Sequence, residues 1–265
     1  MDSLGAYNCA NPLHGCGYID ENGVQKLTWP VRAMRTYMQR LYSLLHADGR
    51  DQTKNWLWAH MSARTCAPIN AFVDFQCSGE ELETYLVSNS NYLEHYGLDA
   101  YQIYYLPSSG VVPMLLPNLG RIGPKAHRLE KKYNDQFLLL VLLHDSLLWN
   151  LWCDTDYVNR LYRKLDEFGW QDPKLRFHSY RTQKLVTSPD PDVPISVYTL
   201  GSRAAAVIGN MQKTDRKVRI EIDRKALGLG DRLKFADLCT GKPVDPAAVE
   251  LQGFNFILME IRQSK

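Results

Sequence analysis

The sequence predicts an α/β region built on a parallel sheet, residues 1–169, followed by an antiparallel β-sandwich domain, residues 170–265. Three observations carry this. Phe137 to Leu143 is a run of seven apolar residues without alternation, ending in His144 and Asp145, as suits a strand buried on both faces. Up to Gly169, strand-like and helix-like stretches alternate, the signature of a parallel α/β sheet. Beyond Trp170 short strand-like runs are separated by turn clusters with no long helix, and Lys217 to Ile222 alternates polar and apolar residues, which predicts a sheet with one solvated face.

The apolar run has a second reading. It also fits a buried helix continuing through Ser146, Leu147, Leu148 and Trp149, with His144 hydrogen-bonded in the core, because periodicity alone does not separate the two. The strand reading is preferred here because similar stretches occur upstream.

In chain order, residues 1–27 are rich in turn formers such as Asn11, Pro12, Gly15, Gly17, Asn22 and Gly23, and read as a loop of the kind that lines a site. Within it Tyr18 stands beside the adjacent carboxylates Asp20 and Glu21, which also fit a solvated turn. From Thr28 the pattern turns helical. Pro30 sits in the first turn, Val31, Met34, Met38, Leu41 and Leu45 recur at spacings of three and four, and Asp48-Gly49 ends the helix. Arg32, Arg35 and Arg40 mark its opposite face.

Asn55 to His60 and Ile69 to Phe75 read as two strands, the first closing on His60 and the second leading past Asp74 to Gly79, Glu80 and Glu81. Residues 81–97 are weakly helical, and the tyrosine-rich stretch from Ala100 to Leu106 reads as a further strand. The segment with Pro107, Pro113 and Pro117 reads as loop. Asp154 to Phe168 is a helix with a buried stripe of Val158, Leu161, Leu165 and Phe168, ended by Gly169.

Composition excludes several classes. Net charge is +2 from 31 basic and 29 acidic residues without long basic runs, which is no footprint for nucleic acid. No apolar stretch reaches the ~18 residues of a membrane span, and no signal peptide is visible. Six cysteines are too sparse for a disulfide scaffold. Cys9, His14 and Cys16 lie close together, but their spacing fits no standard zinc pattern, so no metal and no cofactor is expected. A Cys9–Cys16 disulfide and a tight loop with free thiols stand as the alternatives.

If the three central runs are parallel neighbours, then His60, Asp74, Glu80, His144 and Asp145 share the sheet's carboxyl edge, where α/β folds carry their chemistry, and Asp20 joins them.

The chain resembles glycoside hydrolase family 123 and its relatives. The resemblance rests on Cys9-x-Asn11-Pro12-x-His14-Gly15-Cys16-Gly17-Tyr18-x-Asp20, on the basic helix that follows, on Asp74 followed by Gly79-Glu80, on Leu143-His144-Asp145 and on Asp237 to Gly241. It implies the C-terminal portion of a (β/α)8 TIM-like barrel followed by a β-sandwich. A closed barrel needs eight strands and residues 1–169 supply about four, so the resemblance further implies a fragment whose expected partner is the missing N-terminal half of the same protein. The implied activity is hydrolysis of an O-glycosidic bond, an N-acetylhexosaminide among the options, in an extracellular or periplasmic parent protein. Family members use the substrate's acetamido group assisted by an adjacent Asp-Glu pair, and the loop around Asp20-Glu21 does not match that signature.

Under this reading Glu80 and Asp20 are the candidate proton donors, with Asp74 the third catalytic carboxylate. Tyr18, Trp58 and Trp149 are candidate sugar platforms, with His60, His144 and Asp145 as further contacts to an oligo- or polysaccharide substrate. The alternative is a non-catalytic carbohydrate-binding or interaction module.

Overall fold

The computed structural model describes residues 7–47, 51, 54–60, 65–87, 91–105, 110–119, 121 and 125–264. They divide into two compact units, Met1–Leu82 with Asp99–Leu116 and Glu83–Leu98 with Pro117–Lys265.

The first unit opens with an antiparallel hairpin of β1 (Tyr18–Ile19) and β2 (Gln25–Lys26). α1 (Val31–Leu45) follows, and the stripe read from its sequence is the face it buries: Met38 is fully enclosed, and Val31, Met34, Leu41 and Leu45 pack with it against Leu57, Ala59, Ile69 and Val73. The helix ends at Leu45, and Asp48-Gly49 lies outside the described residues. β3 (Trp58–His60) and α2 (Ala67–Asn70) come next, then β4 (Phe75–Ser78). Two short helices of the second unit, α3 (Glu83–Leu86) and α4 (Tyr92–His95), precede α5 (Leu98–Tyr105) and β5 (Val112–Leu115) in the chain. β3 pairs in parallel with β4, and β4 with β5.

Three expectations are corrected here. The stretch 69–75 is not a strand. Pro68 sits in the first turn of α2, and Asn70 closes that turn, its Oδ1 accepting from the Cys66 N–H at 3.1 Å while its Nδ2 donates to Gln76 Oε1 at 3.0 Å. The strand starts only at Phe75. Residues 100–105 belong to α5 instead of a strand, and Leu106 lies outside the described residues; burial of Tyr101 and the Tyr104 carbonyl's bond from Gln76 Nε2 at 2.8 Å override tyrosine's β preference. The proline-rich segment holds β5. The N–H groups that reach β4 at its two ends come from Val112 and Leu116, so Pro113 removes no donor from that ladder.

The second unit is organised around α6 (Lys131–His144), in which Asn134 through His144 are all buried. The seven apolar residues from Phe137 are therefore helical and not a strand. A helix apolar around its whole circumference and a strand buried on both faces present the same sequence, and here the polar residues 131–136 continue the helix upstream. Those polar residues are satisfied: Asn134 Nδ2 donates to the Arg128 and Glu130 carbonyls, Asp135 accepts from the Tyr157 hydroxyl and Lys131 Nζ, and Gln136 Oε1 accepts from the Leu93 N–H.

β6 (Leu147–Leu148) and α7 (Thr155–Phe168) follow. α7 begins at Asp154, whose side chain accepts from the Tyr157 N–H at 3.0 Å, and ends at Gly169 with φ 98°. Its predicted stripe of Val158, Leu161, Leu165 and Phe168 is buried.

The remaining strands are β7 (Arg176–His178), β8 (Val186–Thr187), β9 (Ile195–Leu200), β10 (Arg203–Gly209), β11 (Arg216–Val218), β12 (Glu221–Ile222), β13 (Leu233–Asp237), β14 (Val249–Leu251) and β15 (Phe256–Gln263). Five form an antiparallel sheet in the order β13-β15-β10-β9-β7, and β11–β14 and β12–β8 form two small ladders. Val197, Ala204, Ala206, Ile208, Met259 and Ile261 of the sheet meet Val186, Val218, Val249 and Leu251 of the ladders in one core.

The other face of β9 and β10 is not solvated as expected, because α6 lies on it. The register sets Ala205 opposite Tyr198 and Val207 opposite Ser196, and these face the helix. Ala205 and Gly209 keep the surface low; a Cβ on Gly209 would come within 2.7 Å of Leu139 Cδ1. The last carbonyls of α6, which have no partner within the helix, are taken up by the sheet: Tyr198 Oη donates to Leu142 O at 2.9 Å and Ser196 Oγ to Leu143 O at 2.7 Å.

Both bonds are fully buried, so Ser196→Ala strands a carbonyl in an apolar interface and is expected to cost about 1–3 kcal/mol. Urea unfolding should show a lower midpoint with an unchanged slope; a midpoint equal to that of the parent would refute this capping role.

Candidate functional site

The carboxyl edge of the parallel sheet brings two of the predicted residues together. His60 is the last residue of β3, and Glu80 stands just past the end of β4. Their side chains approach to 3.6 Å between Nε2 and Oε2, each about one-fifth exposed. Trp58 lies two residues before His60 and so projects from the same face of β3, 40% exposed, while Ala59 between them is buried.

The approach of Glu80 depends on Gly79. Its φ of 142° lies in a region closed to other residues, and a Cβ there would stand 1.8 Å from the Leu116 carbonyl oxygen. The chain leaving β4 thus turns directly against the end of β5, which is held by the Leu116 N–H bond to Ser78 O at 2.7 Å.

Asp74 does not share this edge. With the strand shifted to Phe75–Ser78, Asp74 precedes it and stands at the amino edge. There it is a brace: Oδ2 accepts from the Leu57 N–H at 2.6 Å, its own N–H donates to Leu57 O at 2.9 Å, and Oδ1 lies 3.4 Å from His46 Nε2. His46, which the sequence reading passed over, stacks on Tyr42 and its Nδ1 bonds the Tyr42 carbonyl, finishing α1. A histidine directly after an amphipathic helix was the available signal.

Asp20 is engaged by its own hairpin. The Val24 N–H, Lys26 and the Asn22 N–H together hold its carboxyl below the usual range against the opposing effect of burial, with Val24 the largest contributor. A carboxyl so held is ionised at neutral pH, which suits a turn anchor and not a proton donor. Tyr18, on β1, is largely exposed.

His144 and Asp145 end α6 in the second unit and are not carried by a strand. Asp145, at φ 52°, is the left-handed cap, its N–H returning to Val141 O. His144 Nδ1 donates to the Leu140 carbonyl at 2.7 Å, and its Nε2 lies 3.4 Å from the Tyr180 hydroxyl. Trp149 is half-buried in the turn before α7. Cys9 and Cys16 are not joined in a disulfide, and no group of three metal-ligating side chains occurs among the described residues.

No family model and no curated protein matches the sequence. Solved structures do. An α-amylase of Geobacillus thermoleovorans, solved with acarbose, aligns with a TM-score of 0.50 at 6% identity over 89% of this chain and 58% of its own. A maltogenic α-amylase of Thermotoga neapolitana aligns at 0.49 and 12% identity, covering 100% of this chain and 77% of the amylase. A GH27 β-L-arabinopyranosidase of Geobacillus stearothermophilus aligns at 0.47 and 14%, covering 93% and 68%. At such identities the likeness is one of fold alone.

Two expectations follow from the geometry. Gly79→Ala meets both the backbone strain and the Leu116 carbonyl, so it should lower stability by about 3 kcal/mol or more, read by thermal or urea unfolding. A loss under about 0.5 kcal/mol would refute the close approach.

Burial pushes the His144 imidazole down from 6.5 to about 4, opposed by its bond to Leu140 O and aided by Arg181. The unfolded chain then binds more protons between these values, so stability is full above pH 6.5 and falls as pH drops towards 4. The loss amounts to roughly 3 kcal/mol. His144→Gln should flatten that slope in urea titrations at pH 4 to 7, and an unchanged slope would overturn the assignment.

Proposed function

We propose that this chain is a carbohydrate-active module, the late strands of a (β/α)8 glycoside hydrolase barrel followed by a β-sandwich, divided near residue 169. The single observation that supports it most is the meeting of His60 and Glu80 at the carboxyl edge of a parallel sheet, with Trp58 on the same face. In this reading Glu80 gives its proton to the glycosidic oxygen, His60 orients the carboxyl, and the Trp58 ring carries the apolar face of a sugar. The glycosidase-like fold supports the substrate class. The restriction to an N-acetylhexosaminide, and membership of family 123, rest on the sequence resemblance alone.

A second reading, binding without catalysis, is favoured by a specific observation. Ordinary glycoside hydrolysis uses two carboxyl groups flanking the bond. Of the three proposed here, Asp74 braces the opposite edge and Asp20 is tied into its hairpin, which leaves Glu80. The chain spans 58% of the length of the α-amylase it resembles, so the other carboxyl belongs, in this proposal, to the remainder of a longer protein.

The two readings separate experimentally. Titration of the chain with a panel of oligosaccharides should show binding that Trp58→Ala weakens about tenfold. Glu80→Gln should leave that binding within about twofold while cutting any hydrolysis by about 10²–10⁴. Binding without hydrolysis favours the second reading, and no binding to any glycan would overturn both.

A further inference from the structure

Outside the His60–Glu80 edge, the first unit carries a groove of about 810 Å³ along the outer side of α1, beyond the stripe that the helix buries. Trp29, Arg32, Thr36, Tyr37, Arg40 and Leu44 are among its walls, and no acidic side chain lines it among the described residues. Arg32, Thr36 and Arg40 are spaced by four, which sets them in one row on the helix, the two arginines about 12 Å apart along its axis.

Their electrostatic state is unusual for a chain with nearly balanced charge. Neither Arg32 nor Arg40 forms an ion pair among the described residues, whereas Arg35 on the next row is spent on the face of Phe72 at 4.8 Å. Two unneutralised guanidinium forks therefore face one groove. Beside them, Trp29 and Tyr37 are 44% and 51% exposed, presenting flat rings to the same space.

We propose that this groove binds an acidic oligosaccharide, of the uronate type, with Arg32 and Arg40 each receiving a sugar carboxylate and Trp29 and Tyr37 supporting the ring faces. The guanidinium fork matches a carboxylate bidentately, and aromatic rings offer apolar area with little entropy to lose. The groove's volume is that of a ligand of several rings and far exceeds a single anion. A nucleic acid fits less well. Its backbone calls for an extended basic surface, and the chain carries a net charge of only +2 with no basic run.

The groove shares no residue with the His60–Glu80 edge, so the two stand or fall separately. The test is calorimetric titration of the whole chain with trigalacturonate, and with maltotriose as the neutral control. Trigalacturonate should bind at least about tenfold more tightly than maltotriose, and its affinity should fall as salt rises. Arg32→Gln and Arg40→Gln should each weaken it several-fold. Trp29→Ala should weaken trigalacturonate as well, while Tyr85→Ala, an exposed ring outside the groove, leaves its binding unchanged.

All four positions carry exposed side chains, and unchanged melting of the variants confirms that they fold. Absence of trigalacturonate binding, equal binding of maltotriose, or indifference to the double arginine variant would overturn the proposal. So would binding that follows salt and arginine but ignores Trp29, which is plain polyanion attraction. A chain that self-associates through the groove, with dimers lost in Leu44→Glu and no sugar bound, would assign the surface to a second copy instead.

Discussion

The second unit depends on the seating of α6. A helix that is apolar on every side has no solvent face, and its terminal carbonyls have no water to turn to. Both demands fall on the same surface, the face of β9 and β10 that carries Ser196, Tyr198, Ala205, Val207 and Gly209. Tyr198 and Ser196 donate their hydroxyls to the Leu142 and Leu143 carbonyls, and Ala205 and Gly209 let the helix lie close enough for those bonds to form. The opposite face of the same strands, built of Val197, Ala204, Ala206 and Ile208, closes on the ladders. The sheet is therefore buried twice, and the alternation of side chains along β9 sorts polar caps to one core and apolar residues to the other.

The first unit divides its labour between the two edges of a parallel sheet. At the amino edge Asp74 ties β4 to the residue before β3 through two bonds, and His46 brings the end of α1 to the same carboxylate. At the carboxyl edge Gly79 throws the chain across β5 and leaves Glu80 facing His60. Rigid bracing at one end and ionisable groups at the other is the arrangement by which parallel α/β sheets hold a reacting group still. The deeper polar link of Asn70, Gln76, Thr65 and the Tyr104 carbonyl serves the bracing, since each buried donor in it has a partner.

Amphipathic helices were legible in the sequence and fully buried elements were not. α1 and α7 each have one apolar stripe, and the residues of that stripe are the ones the structure buries, because period and environment agree. For α6 the environment is uniform, so period carries no information about residues 137–143, and the preference for a strand rested on neighbouring stretches alone. At 69–75 the obstacle was local. The first turn of α2 is set by Pro68 and by the inward bonds of Asn70, whose partner Gln76 is on the next strand. That single shift moves Asp74 from one edge of the sheet to the other. The extra coverage of β9 and β10 depends on which helix lies over them, which no short-range pattern encodes. The Arg32 and Arg40 face was visible as a polar helix face, but that its two cations form no ion pair among the described residues, beside Trp29, is a fact of packing.

Three histidines illustrate how much an element type decides. His46 directly follows the amphipathic α1 and His144 is the last residue of α6, and each turns its Nδ1 back on the carbonyl four residues earlier, at 2.9 and 2.7 Å. The negative end of a helix favours a ring that can donate there, so a histidine at this position is first of all a cap. His60 differs because it ends a strand. A strand makes its backbone bonds to neighbouring strands and leaves no row of unpaired carbonyls at its tip, so the ring is not drawn back on its own chain. It meets Glu80 instead. The same residue type thus turns back on its own backbone where it ends a helix, and turns to a carboxylate beyond the neighbouring strand where it ends β3.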